Sequence, residues 1–259
     1  MRRASDILGR VARSQRARRG TARLRAVALI GIDGSGKTTQ AHRLADALTR
    51  AGLPATYHRN AGGRAWLGHL AQRVGRRDAQ ALVGRRGMLT VESVLRWLAI
   101  TRALLTALVS GRTAVMDRYA VCQYASIRAH GGRPGTASGG SPGERLARLA
   151  YRLFPAPQVT ILLTVDPAEA YRRIERRGTD HEPIGYLAAA DAAYRSLPEF
   201  PTFVLVDANG PPDEVARRIH AHLAAWLPAT GAGVPTPRPP LRTPLPATAA
   251  VLPAPTAAP

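Results

Sequence analysis

Nine residues near the start of the chain constrain its fold more than any other stretch. Residues 31–39 read Gly-Ile-Asp-Gly-Ser-Gly-Lys-Thr-Thr, which places glycine, lysine and threonine at the fixed positions of the pattern G-x-x-x-x-G-K-S/T. An unbroken apolar run over 26–30 precedes them, as expected for a strand buried on both faces. Apolar residues then recur at helical spacing from Ala41 to Leu48, and Gly52 suits the end of that helix. A strand, a glycine-rich loop and a helix in this order predict a phosphate-binding loop, or P-loop.

The residue types in the P-loop match the chemistry of a nucleoside triphosphate. Glycines let the backbone curl until its N–H groups point at phosphate oxygens, and the dipole of the following helix favours an anion there. Lys37 is the only lysine in the chain, and a compact ammonium fits between phosphates where a planar guanidinium does not. We therefore expect Lys37 to contact the transferring phosphate and the Thr38 hydroxyl to bind Mg²⁺. The remaining ATP contacts of the loop are predicted at Gly31, Asp33, Gly34, Ser35, Gly36 and Thr39.

Composition places this loop in a basic, cysteine-poor chain of 259 residues with a net charge of +20. One cysteine, Cys122, excludes an internal disulfide framework and fits a reducing compartment. We recognise no apolar run of membrane-span length and no signal peptide, so a cytoplasmic protein without a membrane anchor is expected. The arginine-rich residues 1–25 are predicted to be a disordered arm, and the Pro/Ala-rich residues 228–259 a disordered tail. Residues 26–227 are the predicted folded domain, and their excess of arginine suits anionic ligands such as nucleotides.

Apolar runs alternate with helical patterns along the predicted domain. Further strands are expected at residues 55–58, 113–116, 158–165 and 203–206, and helices at 65–76, 88–109, about 143–153, 167–177, 184–196 and 212–227. Regular alternation of this kind is typical of an α/β fold with a parallel sheet. With the P-loop on the first strand, the chain is predicted to adopt the P-loop NTPase fold, with a five-stranded parallel sheet flanked by helices.

Charged residues argue against two classes of P-loop protein, the GTPases and the translocating ATPases. A GTPase needs a lysine in its guanine-reading N-K-x-D segment, and the single lysine, Lys37, is already in the P-loop. A translocating ATPase usually carries an acidic pair at the end of a strand, whereas Asp117 is followed by Arg118. Small-molecule kinases remain.

A set of ordered motifs resembles the thymidylate kinase family of nucleoside monophosphate kinases over about residues 26–227. The motifs are the P-loop with Gln40, Arg59-x-x-Gly62-Gly63, Asp117-Arg118-Tyr119, Leu163-x-Val165-Asp166-Pro167-x-Glu169-Ala170, and an arginine-rich lid that ends Arg177-Gly178-x-Asp180-x-Glu182. The resemblance implies ATP-dependent phosphoryl transfer to a nucleoside monophosphate, dTMP before any other, with Mg²⁺ as cofactor. A homodimer is a candidate assembly, and neither a membrane nor a nucleic acid is expected as a partner.

The resemblance also assigns residues to the acceptor. Arg59 and Arg118 would hold the acceptor phosphate, and Asp33 would face the acceptor sugar. Arg96 has about the spacing of the family's base-contacting arginine, and Arg102 competes for that role.

After Tyr119 the family usually carries serines followed by Ala-Tyr-Gln, whereas this chain has a different sequence over residues 120–127. Gln123 is the candidate that replaces the family's base contacts in this segment.

For catalysis, the resemblance places Asp117 near Mg²⁺ and its waters, and Arg173, Arg176 and Arg177 in the lid that closes over ATP. The acceptor atom is a phosphate oxygen that is already anionic, so no general base is needed. Catalysis then depends on positioning and on neutralising charge, which arginines and Mg²⁺ can supply. The predicted catalytic residues are Lys37, Asp117, Arg118 and Arg177.

Two alternative functions stay open from the sequence. A kinase of a deoxynucleoside or another neutral acceptor needs a carboxylate base, for which Asp33 or Asp117 is available. A non-catalytic, nucleotide-dependent module could instead use the basic arm over residues 1–25 on nucleic acid.

Overall fold

A computed structural model of the chain describes residues 23–60, 79–131, 140–178 and 181–227. The predicted helix at 65–76, the Gly62-Gly63 motif, the tail and nearly all of the basic arm lie outside these residues. The division into arm, domain and tail therefore stays a prediction.

Five parallel strands form the sheet, as the sequence predicts. They are β1 (Ala26–Ile30), β2 (Ala55–Arg59), β3 (Thr113–Asp117), β4 (Val159–Thr164) and β5 (Val204–Asp207), in the spatial order β2-β3-β1-β4-β5. β1 has the expected bounds, and the ends of the other strands differ from the expected ones by at most one residue. β2 and β3 each include one more residue, because Arg59 pairs with Asp117 and Asp117 pairs with Leu29 in the backbone ladders. Backbone pairing thus continues past the apolar residues that mark these strands in the sequence.

Seven α-helices are described. They are α1 (Lys37–Arg50), α2 (Ala79–Ser110), α3 (Ala120–His130), α4 (Pro142–Tyr151), α5 (Pro167–Arg177), α6 (Ile184–Ser196) and α7 (Pro212–Leu223), with 3-10 turns at Phe200–Thr202 and Ala224–Trp226.

Three helices correct the sequence expectation. α2 begins nine residues before the predicted start at residue 88, and α7 ends at Leu223 instead of 227. α3 was not predicted at all. Its first six residues, 120–125, are all buried, so the sequence has no alternation of apolar and polar residues that would mark a helix face.

The central strand β1 lies between β3 and β4, and its residues 27–30 are fully buried. Because all strands are parallel, their carboxyl ends meet at one edge of the sheet, where open α/β sheets bind ligands. The P-loop follows β1 at this edge, and Asp117 and Arg118 lie at the end of the neighbouring β3.

One face of α2 is apolar and exposed. Its exposed large side chains are Val94, Leu98, Leu105, Leu108 and Val109, with exposed fractions between 53% and 88%. The stretch Thr90–Ser110 has a mean hydropathy of 1.4 and is long and apolar enough to cross a membrane, which the sequence analysis did not recognise. The opposite side of α2 buries Ile100 and Ala103 in the domain core.

Candidate active site

The P-loop is held against its neighbours by contacts that only glycine allows. Gly31, Gly34 and Gly36 have φ angles of 142°, 80° and 88°, which L side chains rarely adopt. A Cβ on Gly31 would lie 2.6 Å from the Leu163 carbonyl oxygen of β4, and a Cβ on Gly34 would lie 2.4 Å from the Ala170 carbonyl oxygen of α5. The loop therefore has a fixed shape between β4 and the lid helix.

Lys37 lies inside this loop and is only 5% exposed. Its Nζ donates to the carbonyl oxygen of Ile32 at 2.6 Å and lies 3.4 Å from both Asp33 Oδ1 and Ser35 Oγ. Burial, and then repulsion by Arg118, lower the pKa of Lys37. A neighbouring anion would offset both effects, because it favours the charged form of the ammonium.

The two predicted Mg²⁺ ligands lie next to each other. Thr38 Oγ1 donates to Asp117 Oδ2 at 2.5 Å, and the Tyr57 hydroxyl lies 3.4 Å from the same oxygen. Asp117 is 3% exposed, and its Oδ1 is buried without a hydrogen-bond partner among the described residues. Burial and the charge of Asp117 raise the pKa of Tyr57 to about 12, so its hydroxyl stays protonated and can donate.

Arg118 reaches the P-loop from the end of β3. Its guanidinium pairs with Asp33 Oδ1 of the loop. Burial alone lowers the pKa of Arg118, but Asp33 and Asp117 raise it well above its ordinary value, so the side chain carries its charge at any working pH. Arg118 is also the only non-glycine residue with a positive φ, 79°, in the described part of the chain.

Besides Asp33 and Arg118, the predicted acceptor residues lie on β2, α2 and α3. Arg59 ends β2 with an exposed side chain, next to Asp117 in the sheet. Arg96 is 3% exposed, and its Nη1 donates to Oε1 of the fully buried Gln123 at 2.8 Å. The structure thus joins two side chains that the sequence analysis predicted separately, whereas Arg102, the competitor of Arg96, is exposed.

On the other side of the P-loop, α5 and the segment after β5 line a cleft of about 500 Å³. Arg173 lies in its wall with all three guanidinium nitrogens engaged. Nε contacts Glu169 Oε1, and Nη1 and Nη2 donate to the carbonyl oxygens of Ala208 and Asn209, each at 2.9 Å. Arg173 therefore shapes the wall of the cleft.

The other two lid arginines also line this cleft. Arg176 is 73% exposed and lies 3.6 Å from Glu169, and Arg177 is at the end of α5. Gly34, Ser35 and Gly36 of the P-loop line the same cleft.

Three polar residues at this edge were not identified from the sequence. They are Tyr57, described above, Asn60, whose Nδ2 donates to the Arg118 carbonyl oxygen at 2.9 Å, and Tyr194, whose hydroxyl donates to the Gly31 carbonyl oxygen at 3.3 Å. For Asn60 the available signal is its position directly after a strand that ends in a predicted site residue. Tyr194 reaches the P-loop from α6, and its sequence position gives no such signal.

Comparison with known proteins identifies relatives over the same range. The thymidylate kinase family model matches residues 30–219. A thymidylate kinase of Xanthomonas euvesicatoria is 31% identical over 207 residues, which cover 78% of this chain and 84% of that protein. A thymidylate kinase of Halorhodospira halophila is 29% identical over 211 residues, covering 78% of this chain and 94% of that protein. A probable thymidylate kinase of Archaeoglobus fulgidus is 26% identical over 203 residues, covering 78% and 95%.

Proposed function

The chain belongs to the thymidylate kinase family, and we propose that it transfers the terminal phosphoryl group of ATP to dTMP at the site described above. The observation that carries the proposal is the convergence of two pairs at one edge of the sheet. Thr38 with Asp117 and Asp33 with Arg118 each join a P-loop residue to the end of β3. Donor phosphates on the P-loop and an acceptor phosphate on Arg118 would then lie side by side.

The P-loop binds the donor phosphates through its backbone N–H groups and through Lys37. The Lys37 ammonium donates to the Ile32 carbonyl oxygen of its own loop. A phosphate oxygen is a stronger, charged acceptor, so we expect Lys37 to exchange that contact for the transferring phosphate. The nucleoside of ATP occupies the cleft whose wall includes Arg173.

Thr38 and Asp117 fit a bound Mg²⁺. Magnesium prefers oxygen ligands and is usually held by one or two protein groups together with substrate phosphates and waters. The buried Oδ1 of Asp117, which has no hydrogen-bond partner in the described part of the chain, supplies an oxygen suited to the ion or its water shell. When bound, Mg²⁺ neutralises the donor phosphates and orients them for transfer.

The reacting acceptor oxygen needs no base because it is already anionic. Asp33 pairs with Arg118, and Asp117 accepts from Thr38, so each has a positioning partner. A deoxynucleoside kinase would need one of them to take a proton from a hydroxyl group. Charge that develops on the transferring group is neutralised by Lys37 and by the lid residue Arg177.

Arg59 and Arg118 hold the acceptor phosphate, and Arg96 with Gln123 contacts its base. We assign the base contact to Arg96 and not to Arg102, because Arg96 is buried beside Gln123 while Arg102 is exposed. The Gln123 oxygen that accepts from Arg96 fixes the orientation of both side chains before the base binds.

The test is ADP release by the wild-type chain with ATP, Mg²⁺ and one acceptor at a time. We expect turnover with dTMP that exceeds turnover with dUMP, dCMP or dGMP, and none with thymidine. Turnover of thymidine without dTMP would contradict the acceptor class. A preference for another monophosphate would keep the mechanism but contradict the assignment of dTMP.

We also propose that the exposed apolar face of α2 is covered by a second copy of the chain in a cytoplasmic homodimer. Single exposed apolar residues are common, but five large ones on one face of a single helix are typical of an interface. Light scattering after gel filtration should give twice the mass of one chain, and Leu98→Arg should give the mass of one. A monomeric wild type, or wild type that binds lipid vesicles, would contradict the dimer.

A further inference from the structure

The turn at Asp117 and Arg118 has an unusual geometry. In an extended strand, successive side chains point to opposite faces of the sheet. Here both consecutive side chains contact the P-loop, Asp117 through Thr38 and Arg118 through Asp33. The positive φ of Arg118, 79°, makes this possible because it ends the alternation of the strand.

Glycine would adopt this backbone at no cost, but glycine lacks the guanidinium that reaches Asp33. An arginine keeps a positive φ only where its surroundings fix the backbone. Three hydrogen bonds do so. The Arg118 N–H donates to the Leu29 carbonyl oxygen of β1 at 3.0 Å. The other two come from Asn60, whose N–H donates to the Asp117 carbonyl oxygen at 3.0 Å and whose Nδ2 donates to the Arg118 carbonyl oxygen at 2.9 Å.

Asn60 is well suited to hold this turn. It follows β2 directly and is fully buried, so water does not readily replace its amide. Its two donors hold the carbonyl groups on both sides of the Arg118 Cα. We propose that Asn60 is a positioning residue for phosphoryl transfer, which acts through the Arg118 carbonyl group to keep Asp117 and Arg118 aimed at the P-loop.

This inference rests on the proposed function, and two variants of Asn60 test it. Asn60→Ala removes the side-chain donor. Asn60→Asp keeps the shape but places a carboxylate, which cannot donate when ionised, against the Arg118 carbonyl oxygen. The control is Ile219→Ala, a core change on α7, which packs on α1 and β5 at the sheet edge opposite β2. All variants are assayed at a temperature at which circular dichroism shows them folded.

We expect both Asn60 variants to lower kcat/KM for dTMP by about tenfold to a hundredfold while KM for ATP changes by less than about threefold. Ile219→Ala should keep kcat/KM within about threefold of wild type. If Asn60 acts through Arg118, then Asn60→Ala should change KM for dTMP by less than about threefold in an Arg118→Ala background.

Three outcomes overturn the inference. In the first, the Asn60 variants are as active as wild type. In the second, Ile219→Ala loses as much kcat/KM for dTMP as the Asn60 variants do. In the third, the rise in KM for dTMP caused by Asn60→Ala is fully additive with the rise caused by Arg118→Ala. A wild type that phosphorylates no monophosphate would instead overturn the proposed function, and it would do so before any variant is made.

Discussion

The buried carboxylate of Glu144, on α4, gives a prediction whose size follows from its contacts. Glu144 is 1% exposed. Its Oε2 accepts from Arg128 Nε at 2.8 Å, and its Oε1 accepts from Arg128 Nη2 and Arg148 Nε, both at 2.9 Å. Arg128 lies on α3 and also donates to the Ser196 carbonyl oxygen at the end of α6. Glu144 and Arg128 thus join three helices, α3, α4 and α6.

Replacing this carboxylate with an amide, Glu144→Gln, should destabilise the fold strongly. The amide keeps the shape, but its NH₂ group faces a guanidinium donor. Arg128 loses its carboxylate partner, while Arg148 keeps only its pair with Glu199. Removing one partner of a buried ion pair costs about 3–5 kcal/mol. Since about 1 kcal/mol lowers the Tm of a domain of this size by roughly 2–4 °C, we expect a loss of roughly 6–20 °C. Asp191→Asn, which breaks the more exposed pair with Arg195, should cost at most about 1 kcal/mol.

The contacts of Glu144 with its two arginines also predict that the stability of the fold depends on pH. Burial raises the pKa of Glu144, but hydrogen bonds from Arg128 and Arg148 outweigh it and hold the pKa below its ordinary value. A carboxyl with a depressed pKa stabilises the folded chain above its unfolded pKa, and that stabilisation is lost as the pH falls through the folded pKa. Thermal unfolding followed by circular dichroism should therefore show a constant gap between wild type and Glu144→Gln near neutral pH, and a shrinking gap in acid. A gap below 2 °C at neutral pH, well under the range expected here, or one that stays constant in acid, would refute this reasoning.

Three further predictions concern the site and the bounds of the domain. Lys37→Ala should abolish ADP release while Tm stays near the wild-type value. Burial and Arg118 already lower the pKa of this lysine, so its charge adds little to stability. Turnover at the wild-type rate would contradict its role. Arg118→Ala should lower kcat/KM for dTMP by about tenfold to a few hundredfold, since a charge-assisted hydrogen bond in a buried site is worth roughly 1.5–3 kcal/mol. An equal rise in KM for ATP would contradict the assignment of Arg118 to the acceptor. A chain trimmed to residues 23–228 should keep kcat within about threefold, because the matched family range ends inside these bounds; a folded but inactive product would show that the arm or the tail completes the site.

The sequence predicted the elements whose patterns are local. The P-loop combines a fixed motif with a buried strand and an amphipathic helix, and each can be recognised from neighbouring residues. α3 escaped notice because residues 120–125 are buried on every side, which removes the helical alternation. The predicted ends of β2 and β3 lie one residue before the observed ends, because backbone pairing extends to the polar residues Arg59 and Asp117.

Contacts between residues that are far apart in the chain could not be predicted from the sequence. The pattern of α2 shows apolar residues but not which of them, such as Leu98, the domain leaves exposed. Arg173 was assigned to the lid over ATP, and only the fold brings the carbonyl groups of Ala208 and Asn209 to it. The partner of Asn60 is likewise distant in sequence, because Arg118, directly after β3, lies 58 positions away. The types of the site residues could be predicted, but the partners that orient them could not.

Transfer of a phosphoryl group from ATP to the phosphate of dTMP can be observed atom by atom. The most direct measurement is a ³¹P NMR time course of wild-type protein with ATP, Mg²⁺ and dTMP. We expect the dTMP signal to decline as the signals of dTDP and ADP grow in equal amounts, and we expect Lys37→Ala to leave the spectrum unchanged. Consumption of ATP with release of inorganic phosphate and an unchanged dTMP signal would contradict transfer to dTMP.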